Sequence, residues 1–333
     1  MFPEGNLLVS KWIIQTEHTT GEGSDASSDL DGPDPRLKDM PFIEAFGHQY
    51  HISGKIFLPF DQAERNRLEI QHKLYRNCLD GALTSTRLPL DTAQIMDLGT
   101  GTGAWAIEMA ARYPQSQITG VDVYPIQRRR GVPPNVKFEI DDVENPWKYP
   151  DNYFDFVHAR SIAGGVRDWP ALLRQIYSKL KPGGLFEMTE IALNILDFNG
   201  KFAEADMLPG FLKLFRDMGE KCNMDFNPSP HVPDWLVDAD FDKIVQRSEI
   251  LPVGTWTWAQ DEKMKVRQNL MNSIITEHYD NHCGLLFKNC GWTREEFDAV
   301  APSFWQELQN ANGRPYITAV FTTARKPRRD DTT

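Results

Sequence analysis

An α/β protein with a mostly parallel sheet covered by helices on both faces is the fold class this sequence predicts, and three observations predict it. From Ala93 onward, short apolar runs alternate with helical stretches, the order expected when each strand is followed by a crossover helix. Gly99, Gly101 and Gly103 fill the turn between the first such run and the first such helix. Acidic residues close successive runs, with Asp97 in the first, Asp122 at the end of the second and Asp141 and Asp142 after the third. Ligands of open parallel sheets bind outside the carboxyl ends of the strands, so these carboxylates are placed where a ligand is expected.

Composition narrows the class. A chain of 333 residues with 41% hydrophobic and 25% charged residues is an ordinary globular composition, long enough for one enlarged domain. The formal net charge of -11 opposes a general surface for nucleic acid or anionic lipid, and no apolar run approaches the length of a membrane span. Neither a nucleic-acid nor a membrane partner is therefore expected. Cys78, Cys222, Cys283 and Cys290 follow no disulfide spacing and no secretory signal precedes them, which predicts a reducing interior, cytoplasmic or alternatively nuclear.

In chain order, residues 1–45 are expected to be a flexible leader, because 21–39 is acidic, Ser/Gly/Pro-rich and poor in large apolar residues. Residues 46–90 read as an N-terminal helical cap segment, with Asp61 as N-cap of a helix within 58–83. The main domain is expected over 91–327. Its strands are QIMDL (94–98), QITGVDV (117–123), VKFEI (136–140), YFDFVHA (153–159) and GLFEMTEIAL (184–193). Helices fall at 104–113 and at 168–180, where Asp168 caps the start, KPGG stops the end and Trp169, Leu173, Ile176 and Leu180 share one stripe. Two more strands are expected at 241–252 and 316–326. The helical insertion between them, about 259–311, comprises helices over 261–283 and 293–310, the second opened by a Thr293/Glu296 capping box and a Trp292/Phe297 staple. That insertion is placed to roof a pocket, and 328–333 is expected to be a disordered tail.

Gly99-Thr100-Gly101-Thr102-Gly103-Ala104 fits the dinucleotide pattern, with Asp122 about twenty residues on to grip a ribose. A carboxylate at Asp97 would repel a pyrophosphate but attract an amino-acid ammonium, and Asp141 or Asp142 can accept from an adenine amine. A sulfonium nucleoside with an amino-acid tail suits this set better than NAD, whose dehydrogenase chemistry is the third alternative. The series DLGTGTG, GVDV, FEIDDVENPW, YFDFVHARSIAGGVRDW and LLRQIYSKLKPGG resembles class I S-adenosyl-L-methionine methyltransferases, and specifically their fungal LaeA-like group. The likeness extends to FGHQYHISGKIFLPFDQAERNRLEIQH and to the terminal TTARKP, covering about Phe46 to Pro327. Arg128, Arg129 and Arg130, and Phe60 in place of a common Asn, depart from the group's pattern.

The resemblance implies a Rossmann-like fold, with a mostly parallel seven-stranded sheet, and S-adenosyl-L-methionine as cofactor. It implies that Asp97, Gly99, Thr100, Gly101 and Thr102 underlie the cofactor, that Asp122 and Val123 hold the ribose, and that Asp141, Asp142 and Val143 flank adenine. His158, Ala159 and Arg160 would line the opening, with Tyr50 folding over from the lead-in, where His51 is its neighbour. The expected reaction is methyl transfer to a small-molecule acceptor, an oxygen of a fungal secondary metabolite or small organic acid, held near Trp235, Trp256 and Trp258, with Trp305 a further aromatic of that layer. His158 and then His231 are the candidate bases. The alternative is a nuclear regulator of secondary metabolism acting with protein partners, to which the basic tail ARKPRR lends a weak nuclear signal. Arg67 and His72 read as a solvated helical face. His278, His282, Cys283 and Cys290 lack the spacing of a zinc site, so no metal is expected.

Overall fold

The structure is a computed structural model that describes residues 34–198, 207–255, 261–310, 314–328 and 330. Contacts divide the chain into Met1–Leu30 and Asp31–Thr333, and the described residues all belong to the second unit. Most of the expected leader, Trp256, Trp258 and most of the tail lie outside the described residues, while the side chains of His278, His282 and Trp305 are not described.

The lead-in opens with a 3-10 turn, Pro35–Asp39, capped by Asp34. A hairpin follows, β1 (Phe42–Ala45) paired antiparallel with β2 (His48–His51). Its turn, Phe46-Gly47, takes positive φ at both residues (50° and 87°), the geometry of a tight two-residue hairpin loop. Helix α1 (Gln62–Cys78) starts at Asp61, whose Oδ1 accepts from Glu64 N at 3.1 Å. One face of α1 is buried and, unusually, carries Glu64, Arg67, Gln71 and His72 beside Leu74 and Tyr75.

The main sheet contains β3 (Gln94–Leu98), β4 (Gln117–Asp122), β5 (Val136–Ile140), β6 (Phe154–Arg160), β7 (Leu180–Asp197), β8 (Asp242–Pro252) and β9 (Pro315–Arg325). Their spatial order is β5-β4-β3-β6-β7-β9-β8. The first five are mutually parallel, and β9 runs antiparallel to both β7 and β8. The expected seven-stranded, mostly parallel α/β fold is the one observed. The order reverses between β3 and β6, and that switch point gathers the ends of β3, β4 and β6 along one rim.

Helix α2 (Ala104–Arg112) packs Trp105, Ala106, Met109 and Ala110 on Ile95, Ile118 and Phe156. On another face, α3 (Trp169–Lys179) packs Trp169, Leu172, Leu173 and Ile176 against Val157, Phe186 and Met188, together with Leu236 of α5 (Val232–Asp238). Asp168 caps α3 by accepting from Ala171 N at 2.8 Å. A third core lies under α4 (Met207–Lys221), α6 (Glu262–Asn289) and α7 (Arg294–Asn310), where Phe211, Phe215, Leu286, Phe287 and Phe297 meet Tyr50 and Tyr75. The Thr293/Glu296 capping box forms in both directions, at 2.9 and 3.2 Å, and Trp292 and Phe297 both pack on Phe287.

Candidate active site

The turn after β3 is built around backbone that side chains would obstruct. At Gly99 (φ +63°) a Cβ would fall 2.3 Å from Ile162 Cγ2, and at Gly103 (φ +79°) 2.4 Å from Phe138 Cζ. Left-handed φ and missing Cβ atoms together require glycine at both positions. Thr100 Oγ1 donates to Asp97 Oδ2 at 2.6 Å, Thr100 N donates to Val121 O at 2.9 Å, and Gly101 N donates to Asp122 Oδ2 at 2.7 Å. The turn is thereby pinned to β3 and β4.

A cleft of about 670 Å³, open solvent at its mouth included, lies over this turn. Gly99, Gly101, Asp122, Val123, Asp142 and Val143 line it from the sheet side. Leu58, Glu64 and Leu68 close it from the lead-in, and Arg160 and Ser161 from the end of β6. Asp122 Oδ1 accepts from Tyr124 N at 3.0 Å. Burial pushes its carboxyl up to about 6, against the pull of the Tyr124 and Gly101 N–H groups. Each of its oxygens accepts one backbone bond, which leaves lone pairs for a diol. Bare backbone beneath and such a carboxylate beside it fit an adenosyl ligand, which Asp122, Val123, Asp142 and Val143 would hold.

Several expected residues lie elsewhere. Asp97 is buried beneath the turn with both oxygens engaged, Oδ2 by Thr100 and Oδ1 by His158 Nδ1 at 2.7 Å. His158 is 1% exposed, stacked on Trp105 at 3.9 Å, and aligned in register between Asp97 of β3 and Glu187 of β7. It lines neither the cleft nor the neighbouring cavity, so the base role expected of it has no geometric footing. Ala159 alternates to the opposite face and is buried among Val157 and Met188. Thr100 and Thr102 are also buried, Thr102 O accepting from Arg128 N at 2.9 Å. Asp141 is turned aside, its Oδ1 accepting from Asn145 Nδ2 at 2.9 Å, so that Asp142 alone of the pair reaches the cleft. Tyr50 is fully buried in the helical core beside Gly284, while His51 N donates to Tyr124 OH at 2.9 Å. His231 is exposed at the start of α5 against Trp235, which stacks on Trp169 away from both cavities. Among the described residues no group of metal ligands forms.

A second cavity, about 1210 Å³ with open solvent at its mouth included, adjoins the cleft; Leu58 and Ser161 line both. Its wall is largely apolar, from Ile191 and Leu193 of β7, Phe211 and Phe215 of α4, and Met271 and Ile274 of α6. Among the described residues, the polar side chains on it are Arg67, Gln71, Ser161 and Glu190, with the Cys283 thiol beside them. Ser161 sits at φ +54°, unusual for a residue with a side chain, with its Oγ 2.6 Å from Tyr75 OH. Glu190 Oε1 accepts from Ile162 N at 2.8 Å, and burial raises its carboxyl to about 8. Arg67 is 1% exposed and forks onto Glu64 with two bonds of 2.7 Å. The solvated face expected for Arg67 and His72 is thus corrected. His72 Nε2 lies 3.1 Å from Glu108 Oε1, and its Nδ1 accepts from Arg160 Nη2 at 3.2 Å, with burial lowering its pKa. Sequence periodicity hid Glu64, Arg67 and Glu190, because apolarity marks buried faces and these are buried charges.

The chain matches the family described as methyltransferase domain over residues 70–246. It is 33% identical over 290 residues to methyltransferase pytC of Aspergillus terreus, an alignment covering 84% of this chain and 86% of that protein. With laeA of Emericella nidulans, called a protein-methionine methyltransferase and a secondary metabolism regulator, identity is 31% over 299 residues, covering 86% and 77%. Among solved structures, phosphoethanolamine N-methyltransferase 2 of Haemonchus contortus in complex with S-adenosyl-L-methionine aligns at a TM-score of 0.45 and 16% identity, over 79% of this chain and about half (52%) of that one. The chain belongs to the class I S-adenosyl-L-methionine-dependent methyltransferase family, within its fungal LaeA-like group.

Proposed function

We propose that the protein methylates an oxygen of a small, largely apolar molecule bound in the second cavity, with α4 and the insertion that carries α6 as its roof. The observation that carries this reading is the junction of two unlike cavities at Leu58 and Ser161, one floored by glycine backbone and lined by carboxylates, the other almost wholly apolar. Apolar cavities with a few placed polar groups are the usual form of small-molecule sites. When bound, S-adenosyl-L-methionine supplies a methyl carbon that the acceptor's lone pair takes as the sulfur keeps the electrons of the broken bond. The chain's own contribution is alignment and exclusion of water, and alignment alone can supply about 7 to 11 kcal/mol. Gly99 and Gly101 underlie one reactant and Phe211, Phe215 and Ile274 enclose the other.

The test is calorimetry with S-adenosylhomocysteine, followed by release of that product from S-adenosyl-L-methionine on incubation with apolar acids and phenols. Binding and turnover by the isolated chain support the proposal, and absence of any binding removes it. The location consistent with it is cytoplasmic. Similarity to laeA, named a secondary metabolism regulator, favours a second reading, a regulator of secondary metabolism, for which a nuclear location and protein partners are the expectation. A stable co-purifying partner without turnover on any small molecule would prefer that reading.

A further inference from the structure

The wall between the two cavities is an ion pair with its ends on opposite sides. Glu64 lines the cleft and Arg67 lines the chamber. Arg67 commits Nε and Nη2 to Glu64, at 2.7 Å each, and its buried Nη1 has no hydrogen-bond partner among the described residues. A desolvated N–H without a partner is costly, and guanidinium groups only donate, so the missing partner must be an acceptor. Gln71, one helical turn further along α1 and also buried, is the next polar group of α1 on the same wall.

Resting on the small-molecule reading above, we propose that Arg67 anchors the methyl acceptor by an ionised oxygen, which makes the acceptor an apolar organic acid rather than a neutral alcohol. The chamber's remaining lining, chiefly Ile191, Leu193, Phe211, Phe215, Ile274 and Ile317, suits the hydrocarbon body of such an acid. An oxygen that arrives ionised has no proton to lose, which agrees with His158 and His231 lying outside the chamber. Glu190, the other carboxyl on the wall, holds its proton at neutral pH because of burial, so it offers a hydrogen to the anion instead of repelling it. Glu64 balances the guanidinium from the cleft side, where a sulfonium and an ammonium are to be received.

The test uses the full chain saturated with S-adenosylhomocysteine and a matched pair of probes, 2-naphthoate and 2-naphthalenemethanol, titrated at pH 7. The wild-type protein is expected to bind the carboxylate at least tenfold more tightly than the alcohol. Arg67→Gln, whose amide can still bond Glu64 but cannot reach past it, is expected to abolish that preference while S-adenosylhomocysteine still binds. Where Arg67→Gln does not fold, Arg67→Lys decides by the same criterion, since it keeps a cation beside Glu64 without the guanidinium's remaining nitrogen. Equal or reversed preference in the wild type, failure of both probes to bind, or a preference that survives in the variant overturns the anchor. Failure of the wild type to bind S-adenosylhomocysteine overturns the methyltransferase site itself, and is read from the first titration before any naphthalene is added.

Discussion

A carboxylate that accepts two backbone N–H bonds is ordinarily held acidic, yet Asp122 is pushed up to about 6 because it has lost nearly all contact with water. As the expected ribose ligand, Asp122 would accept from the ribose hydroxyls in its ionised form, so that binding and protonation would compete at this side chain. Affinity for S-adenosylhomocysteine is therefore expected to be level above pH 7 and to fall by up to tenfold per unit below about pH 6, as titrations at several pH values would reveal. A flat profile down to pH 5 would exclude Asp122 as the ribose ligand. Gly103 offers a second test at this scale. Gly103→Ala meets both a left-handed φ and the Phe138 ring, whereas Gly131→Ala meets a similar φ (+65°) with no atom of the described residues within 4 Å. Strained backbone costs about 1–3 kcal/mol. Thermal unfolding should show both variants destabilised, Gly103→Ala more severely, and the difference between them measures the collision with Phe138.

Helix α1 carries the partition between the cavities, so its starting point matters beyond stability. Asp61 both caps the helix and lies 2.7 Å from His48 Nδ1, tying α1 to the hairpin. Asp61→Ala is expected to lower unfolding free energy by about 1–2 kcal/mol in denaturant titration. A loss well under that range would mean that tertiary packing alone sets the helix start. The elements that were legible from sequence share such local punctuation: Asp61 before α1, Asp168 before α3, Thr293 and Glu296 at α7, and glycines after β3. The elements that were not legible lack it. Helix α4 hides behind Pro209 and Gly210 in its first turn, and the β1–β2 hairpin turns on Phe46-Gly47 instead of a familiar Asn-Gly. The cleft was readable from residues at strand ends, since parallel register brings them together whatever their neighbours are. A pocket under the insertion was anticipated, but the wall of the chamber was not, because β7, α1, α4 and α6 meet there only after folding.

At the scale of the whole molecule, the site holds two carboxyls whose ionisation opposes folding. Glu190 and Asp122 have folded-state pKa values raised to about 8 and about 6, above those of the unfolded chain. A raised carboxyl binds its proton more tightly when folded, so its contribution is complete below the unfolded pKa and is lost as pH rises through the folded one. For Glu190 the loss between pH 7 and pH 9 is about 1 kcal/mol, or roughly 2–4 °C in Tm. Glu190→Gln keeps an oxygen for Ile162 N and has nothing to titrate. Its melting temperature should decline less than the wild type's over that interval, and parallel declines would assign the alkaline limb to another group. The roof adds a different property. Strands β8 and β9 lie side by side, and Pro252 of one pairs with Tyr316 of the other where the chain departs and returns. On the small-molecule reading, a chimaera that takes the residues between those two positions from a relative is expected to keep its grip on S-adenosylhomocysteine while the donor's counterpart of α6 reshapes one side of the acceptor chamber, Phe211 and Phe215 of α4 staying in place.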